Sequence, residues 1–436
     1  MNIFNSLKQF FRNEFLSLDK RIELYRRGKK YIKFKNKDYL NIQKKYLSIK
    51  EKLKKDIKVN KKIRVGFIVN LASSFAARPV FEKMLNDDSF EPVIIVVPFA
   101  SEGSENFRIS TYQNSLKQLG TKYQKVLPGY DIEKKEMIDY TNIIDIAFLP
   151  TSTECDIPSP YNIFDLIRKG ILTYYCSYAW YTSTDSYSEF YNFGCNLIYK
   201  IFSETQYNID DYVKSSSKKV FNRVVAGYAK MDKLANIEKR DSVRKRIIIA
   251  PHHSIHGVGL CSQFLKYADY IQELPKLYPN VDFVFRPHPC LLSALKTEQY
   301  WGKEKTENYM NKLLSNKNMI FDDSDEYFDL FINSNGLIHD CGSFLPEYLM
   351  TENPPCYVLR DEKAKKEYFN IFGNACLEQC YQAFSNEDIR FYIENVVLNE
   401  NDTMKDKRIK FVNSKLKVNY PHVASFIINY LKSELL

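Results

Sequence analysis

Six histidines occur in the 436-residue chain, and five of them, His252, His253, His256, His288 and His339, fall between residues 252 and 339. An imidazole titrates near neutral pH, so it can take up a proton, release one, or donate a hydrogen bond to a phosphate oxygen. The segment APHHSIHG (250–257) leaves an apolar run at Pro251 and bends through a Ser-Ile-His-Gly loop that carries three of the five. FRPHP (285–289) ends the next apolar run, and its two prolines stiffen an exit that holds Arg286 and His288 at one edge. HDCGSFLPEYL (339–349) follows a third run and opens a helix. There Gly342 permits close backbone approach, Ser343 offers a hydroxyl and an amide, the first-turn amides favour an anion, and Glu347 can accept from hydroxyls one turn later. Taken alone, Ser343 also reads as an ordinary helix N-cap. Zinc is a competing reading of the histidine loop, but Cys or carboxylate companions at ligand spacing are missing. No metal-ligand set and no cofactor are therefore expected. The acidic run DDSDE (322–326) reads as helix capping by Ser324 or Asp325 rather than as a metal cluster.

These residues need a scaffold that brings several strand exits to one edge. RVGFIVN (64–70), PVIIVVPF (92–99) and strand-like segments at 144–149, 170–175 and 224–226 alternate with helical stretches at 79–85, 106–119 and 161–168. After a polar, lysine-rich stretch the alternation restarts with strands at 246–251, 281–287 and 336–339 and helices at 263–274, 309–314, 325–331 and 343–350. Such alternation predicts parallel α/β construction. Two successive units predict two facing doubly wound, Rossmann-like domains with a ligand cleft at the carboxyl ends of their strands. The expected organisation is a basic helical leader over 1–63, an acceptor-side α/β domain over 64–215, a linker over 216–245, a nucleotide-donor α/β domain over 246–395 and a helical segment over 396–436.

Four segments resemble the CDP-glycerol glycerophosphotransferase family of teichoic-acid and capsule synthesis, enzymes with the two-domain GT-B fold. VAGYAKMDKL (225–234) is similar to the family's Gly-Tyr-Pro-x-x-Asp linker, RIIIAPHHSIHG (246–257) to its strand and Ala-Pro-Thr-Trp loop, and FRPHP to its Lys-x-His-Pro. Residues 325–355 are similar to its Leu-Ile-Thr-Asp-Tyr-Ser-Ser helix start. The resemblance implies that His288, Asp340 and Ser343 contact donor phosphates, with Arg286 as a counter-charge and the Gly342 amide in place of a family hydroxyl. It also implies a reaction: transfer of glycerol or ribitol phosphate from a CDP-activated donor to a surface glycan or lipid-linked acceptor. The family's Trp-His-Gly-Thr-Pro histidine, regarded as the acceptor base, has no counterpart in ILTYYCSYAWY (171–181), and residues 64–215 contain no histidine. A base must then come from His252, His253 or His256, or from a carboxylate such as Glu154, Asp156 or Asp185. The missing histidine favours an alternative, a GT-B glycosyltransferase using a nucleotide sugar. A non-catalytic partner in capsule assembly is a further alternative. The aromatic stretch Tyr174 to Tyr181 reads either as a stacking surface for sugars or as strand-end core.

Net charge locates the chain. The overall excess is +10, yet residues 1–63 alone carry +14, which leaves a body of about −4. Nucleic acid is not an expected partner, because the body is slightly acidic and no recognition module accompanies the lysines. Nine cysteines without CxxC spacing point to a reducing cytoplasm. No apolar run approaches the ~18–20 residues of a membrane-spanning helix. In residues 1–18, Ile3, Phe4, Leu7, Phe10, Phe11, Phe15 and Leu18 share one helical face, which suits either a membrane interface or docking on the protein itself. From Asp38 to Ile57 a 3-4-3-4 apolar rhythm predicts a long half-buried helix, packed on the body or, as the alternative, paired in a short coiled coil. The expected location is the inner face of the plasma membrane, held peripherally through residues 1–37. Deleting those residues is expected to abolish sedimentation with anionic liposomes, and continued binding by the truncated chain would refute the assignment.

Overall fold

A computed structural model describes residues 36–60, 62–152, 156–184, 193–216, 222–240, 242–255, 262–324 and 326–436. The amphipathic stretch 1–18, His256, Glu154 and Asp185 lie outside the described residues.

The first sheet contains β1 (Ile63–Val69), β2 (Phe90–Val96), β3 (Val126–Pro128), β6 (Ile146–Leu149), β7 (Leu172–Cys176), β8 (Lys200–Ser203) and β9 (Arg223–Val225), in the order β3-β2-β1-β6-β7-β8-β9. A small antiparallel pair, β4 (Tyr130–Asp131) and β5 (Glu136–Met137), stands outside it. The second sheet contains β10 (Lys245–Ala250), β11 (Val281–Phe285), β12 (Met319–Phe321), β13 (Gly336–His339), β14 (Pro355–Val358) and β15 (Tyr381–Ala383), in the order β12-β11-β10-β13-β14-β15. All pairings within the two large sheets are parallel. Central strands such as IRVGFIV and KRIIIA are nearly continuous apolar runs because helices cover both faces. The two expected doubly wound domains are present, and β9 extends the first sheet into the stretch that the sequence gives to the linker.

In each sheet the strand order reverses once, between the paired strands β1 and β6 and between β10 and β13, and the connections leaving such a pair diverge to leave a crevice at the strands' carboxyl ends. In the second sheet, Ala250 of β10 pairs with His339 of β13, so Pro251 and His252 leave the sheet next to Asp340.

The helix Asn36–Asn60 buries Tyr39, Ile42, Tyr46, Leu53 and Ile57 against the first domain, and the Tyr46 hydroxyl bonds Thr173 Oγ1 at 2.7 Å. The predicted helix is thus docked on the body. The last helix, Val423–Leu435, returns to the first domain, where Val423, Ile427, Ile428, Leu431 and Leu435 join its core. Its amino end is capped by Asp232 of the linker, whose carboxylate accepts from the amides of Val423 at 3.1 Å and Ala424 at 2.9 Å. Just before that, Gly227 turns the chain at φ +95°, and a Cβ there would lie 2.2 Å from the Val418 carbonyl oxygen. Gly227→Ala is expected to cost at least ~2 kcal/mol, from strained φ and the clash together, and to lower the thermal unfolding midpoint.

Candidate functional site

Three strand exits build one cluster. β10 ends in Pro251, His252 and His253, and β11 runs alongside it beyond the sheet: the Arg286 amide donates to the Ile249 carbonyl at 2.8 Å and the His288 amide to the Pro251 carbonyl at 2.9 Å. That ladder sets His288 beside the histidine loop. The ring centroids of His252 and His253 are 4.2 Å apart, those of His253 and His288 4.0 Å, and those of His252 and His288 5.2 Å. All three rings are half-buried.

Asp340, at the exit of β13, holds this arrangement. Its carboxylate accepts from the His252 amide at 2.6 Å through Oδ1 and from the Gln263 amide at 2.6 Å through Oδ2, so one side chain ties both ends of the loop that leaves β10. The Asp340 backbone carbonyl accepts from the Tyr357 hydroxyl at 2.8 Å. Burial pushes the Asp340 carboxyl up to about 7, against the amide hydrogen bonds that pull it down. The Asp340 carboxylate, which the family resemblance places on donor phosphates, is buried and accepts these two amides, with the Ser262 hydroxyl also acting on it.

Backbone amides also fix the imidazole tautomers. The Ser254 amide donates to Nδ1 of His252 at 3.3 Å, and the Cys290 amide donates to Nδ1 of His288 at 3.2 Å. His252 Nδ1 also lies 2.8 Å from Ser254 Oγ, a hydroxyl that can donate or accept. An amide can only donate, so the arrangement favours the neutral tautomer with the lone pair on Nδ1 and the proton on Nε2 in each ring. Burial and the neighbouring imidazoles push His252 down to about 3, and burial with His253 pushes His288 down to about 4. At neutral pH both rings are uncharged and present Nε2–H donors, a suitable cradle for an oxyanion.

The same three residues have ring nitrogens within 4.8 Å of one another, and among the described residues they are the group that can be tested as a metal site. A metal-ligating histidine normally donates its second nitrogen to a carbonyl or carboxylate. Here Nδ1 of His252 and of His288 faces an amide donor instead, which puts a proton where a metal requires a lone pair. Two of the three rings are thus held in the tautomer opposite to the one that ligates a metal through Nε2.

The remaining sequence-predicted residues separate into other roles. His339 is buried against the Tyr357 ring, its Nδ1 3.1 Å from the Cys341 carbonyl, and burial pushes it down to about 3. Arg286 pairs with Asp322, donates to the Ser324 carbonyl at 2.6 Å and lies 4.8 Å over the Tyr327 ring. Its charge is engaged. Glu347 accepts from the Tyr327 hydroxyl at 2.5 Å and pairs with Lys230 at 3.4 Å, so it too is turned into a buried network. The Ser343 side chain makes no cap hydrogen bond and sits 3.3 Å from Cys341 Sγ, at the start of a helix of only six residues, Phe344–Leu349. What approaches Gly342 is Thr182 of the first domain: a Cβ at Gly342 would lie 2.7 Å from Thr182 Oγ1. The predicted cap at Ser324 is absent, because the following helix begins at Phe328 after Tyr327 and Ser324 Oγ donates to the Glu326 carbonyl.

Across the cleft, the loop after β7 forms the seam between the domains. The Asn370 amide donates to the Thr182 carbonyl at 3.0 Å, Asn370 Nδ2 donates to the Tyr181 carbonyl at 2.8 Å, and Trp180 stacks on Phe372 at 5.5 Å. Tyr174, Tyr175, Trp180 and Tyr181 are core, whereas Tyr178 is 44% exposed. The aromatic stretch is therefore strand-end packing with one outward ring. Residues missed from the sequence are Lys230, within 216–245, Tyr327, just after the acidic run, and Glu204, buried at the exit of β8. A carboxylate directly after the run Lys200–Ser203 was the available signal for Glu204.

A scan against family models finds no match, and a sequence search of curated proteins finds none either. Solved structures do match. The wall teichoic acid polymerase TagF aligns over 91% of this chain and 98% of its own, with TM-score 0.55 and 13% identity. A UDP-GlcNAc 2-epimerase from Neisseria meningitidis bound to UDP-GlcNAc covers 85% of this chain and 100% of its own, with TM-score 0.54 and 12% identity. A UDP-N-acetylglucosamine 2-epimerase from Listeria monocytogenes covers 85% and 96%, with TM-score 0.53 and 14% identity. These likenesses establish the fold, two facing Rossmann-like domains of the GT-B type.

Removing the Asp340 carboxylate leaves two loop amides without their acceptor. In Asp340→Ala, hydrogen exchange at the His252 and Gln263 amides is expected to accelerate about tenfold or more, as loss of a charge-assisted bond of ~1.5–3 kcal/mol implies. The amides of β10 should be unaffected.

Proposed function

We propose that this chain transfers a polyol phosphate, glycerol or ribitol phosphate, from a CDP-activated donor to a cell-surface glycan or lipid-linked acceptor. The observation that carries the reading is the pair of neutral Nε2–H donors of His252 and His288 at the switch point of the second sheet. That is the part of a doubly wound domain where a diphosphate docks. The acceptor oxygen attacks the distal phosphorus in line while CMP leaves. Catalysis then rests on positioning and on donors aimed at the charge that develops on the phosphoryl and leaving oxygens. Cleft aromatic Tyr178 suits a sugar face on the acceptor side. The four sequence segments and the likeness to a wall teichoic acid polymerase support this substrate class. No helix among the described residues is long and apolar enough to cross a membrane. The basic leader supports peripheral attachment at the cytoplasmic face, where such a polymer would be extended.

A nucleotide-sugar glycosyltransferase is the second reading. It is favoured by the absence of histidine from residues 64–215, and neighbours of the same fold bind UDP or UDP-GlcNAc. Incubation with CDP-glycerol, CDP-ribitol and a panel of sugar nucleotides separates the two. Release of CMP from the CDP-polyols is expected, and turnover of sugar nucleotides alone would overturn the first reading. His288→Ala is expected to lower kcat/KM by roughly 100-fold or more, the usual effect of losing one oxyanion donor. Ser343→Ala should change it only a few-fold, roughly the scale of one neutral hydrogen bond, because its hydroxyl faces Cys341.

A further inference from the structure

We infer that Glu204 is the proton acceptor for the attacking hydroxyl, held at the carboxyl edge of the first sheet where β7 and β8 leave it. The inference rests on the reading that a hydroxyl attacks a nucleotide-activated donor in this cleft, and it assigns the residue that deprotonates it. Cys176 of β7 pairs with Phe202 of β8, so Ser177 and Glu204 emerge side by side. Glu204 is 1% exposed, and its Oε1 has no hydrogen-bond partner. A buried carboxylate oxygen left unpaired is costly and calls for an explanation beyond stability. It borders a cavity of about 10 Å³ lined by Ala76, Cys176, Ser177, Gly227 and Tyr228, about the room that one hydroxyl or water requires. A base need only reach the proton directly or through one water.

The surroundings tune this group for the task. The Tyr175, Tyr181 and Tyr228 phenols and the Cys176 thiol face it, all pushed up by burial and so neutral at physiological pH. Arg223 in β9 is the cation that acts on it, and that guanidinium lies 4.4 Å over the Tyr212 ring. Burial outweighs the Ser177 hydrogen bond and Arg223, and it pushes the Glu204 carboxyl up to about 7, near the value at which a base works best at neutral pH. In the step itself, the acceptor oxygen forms a bond to the distal phosphorus and the bridging P–O bond breaks, its electron pair leaving on CMP. The hydroxyl proton passes to Glu204 and then to solvent.

The test is the pH dependence of transfer by wild type, Glu204→Gln and Glu204→Asp, with the donor that wild type turns over. The carboxylate is the active form, so the wild-type rate should fall as pH drops through about 7. Glu204→Gln is expected to lose roughly 100-fold or more in kcat and to lose that acid limb, with donor KM within about twofold. Glu204→Asp should recover part of the rate and the limb, which also shows that the site folds. A Glu204→Gln variant that keeps the acid limb, or that loses kcat and donor KM together with the limb intact, overturns the inference. Failure of wild type to turn over any nucleotide-activated donor overturns the functional reading itself, and this assignment with it.

Discussion

One buried carboxylate organises the second domain's working edge. Asp340 accepts the His252 and Gln263 amides, so one side chain ties the exit of β10 to the start of the helix Phe264–Leu277. The His252 backbone is set by that tie, the His288 backbone by the ladder to Pro251, and the rings are then aimed by contacts at Nδ1: the Ser254 amide and hydroxyl for His252, the Cys290 amide for His288. Each constraint acts on the one before it. In the proposed phosphate site, neutral dipoles fixed this way need not be reoriented when charge develops.

The cations that would have been the obvious partners of a diphosphate serve another purpose. Arg286 is taken by Asp322 and Ser324, and Lys230 by Tyr327 and Glu347, so a polar network joins the linker to the second domain. Beside it, Thr182 from the first domain packs onto Gly342 and Gly373, where any side chain would collide. The domain seam and the site thus share elements. Glycine at 342 leaves room for that close domain contact.

Much of the fold was legible because alternating apolar runs and helical periodicity are local signals. The central strands, the docked helix at Asn36–Asn60 and the crowding of histidines at strand exits could all be read that way. What escaped were strands of three or four residues, such as Lys200–Ser203 and Met319–Phe321, whose identity depends on neighbours far along the chain. Missing β8 meant missing Glu204 at its exit. The hydrogen-bond partners of Asp340 and Arg286 escaped for the same reason, because they lie far along the chain and are set by tertiary structure. The tautomers were beyond any sequence pattern, since they follow from amide positions.

The proposed function depends on His252 and His288 acting as neutral Nε2–H donors to a diphosphate. Long-range ¹⁵N NMR of the histidine rings at neutral pH, with and without CDP, tests it directly. The account predicts Nε2–H tautomers for both rings in the free protein and a selective change at their Nε2 signals when CDP binds. Nδ1–H tautomers, imidazolium signals in the free protein, or rings indifferent to CDP would contradict it.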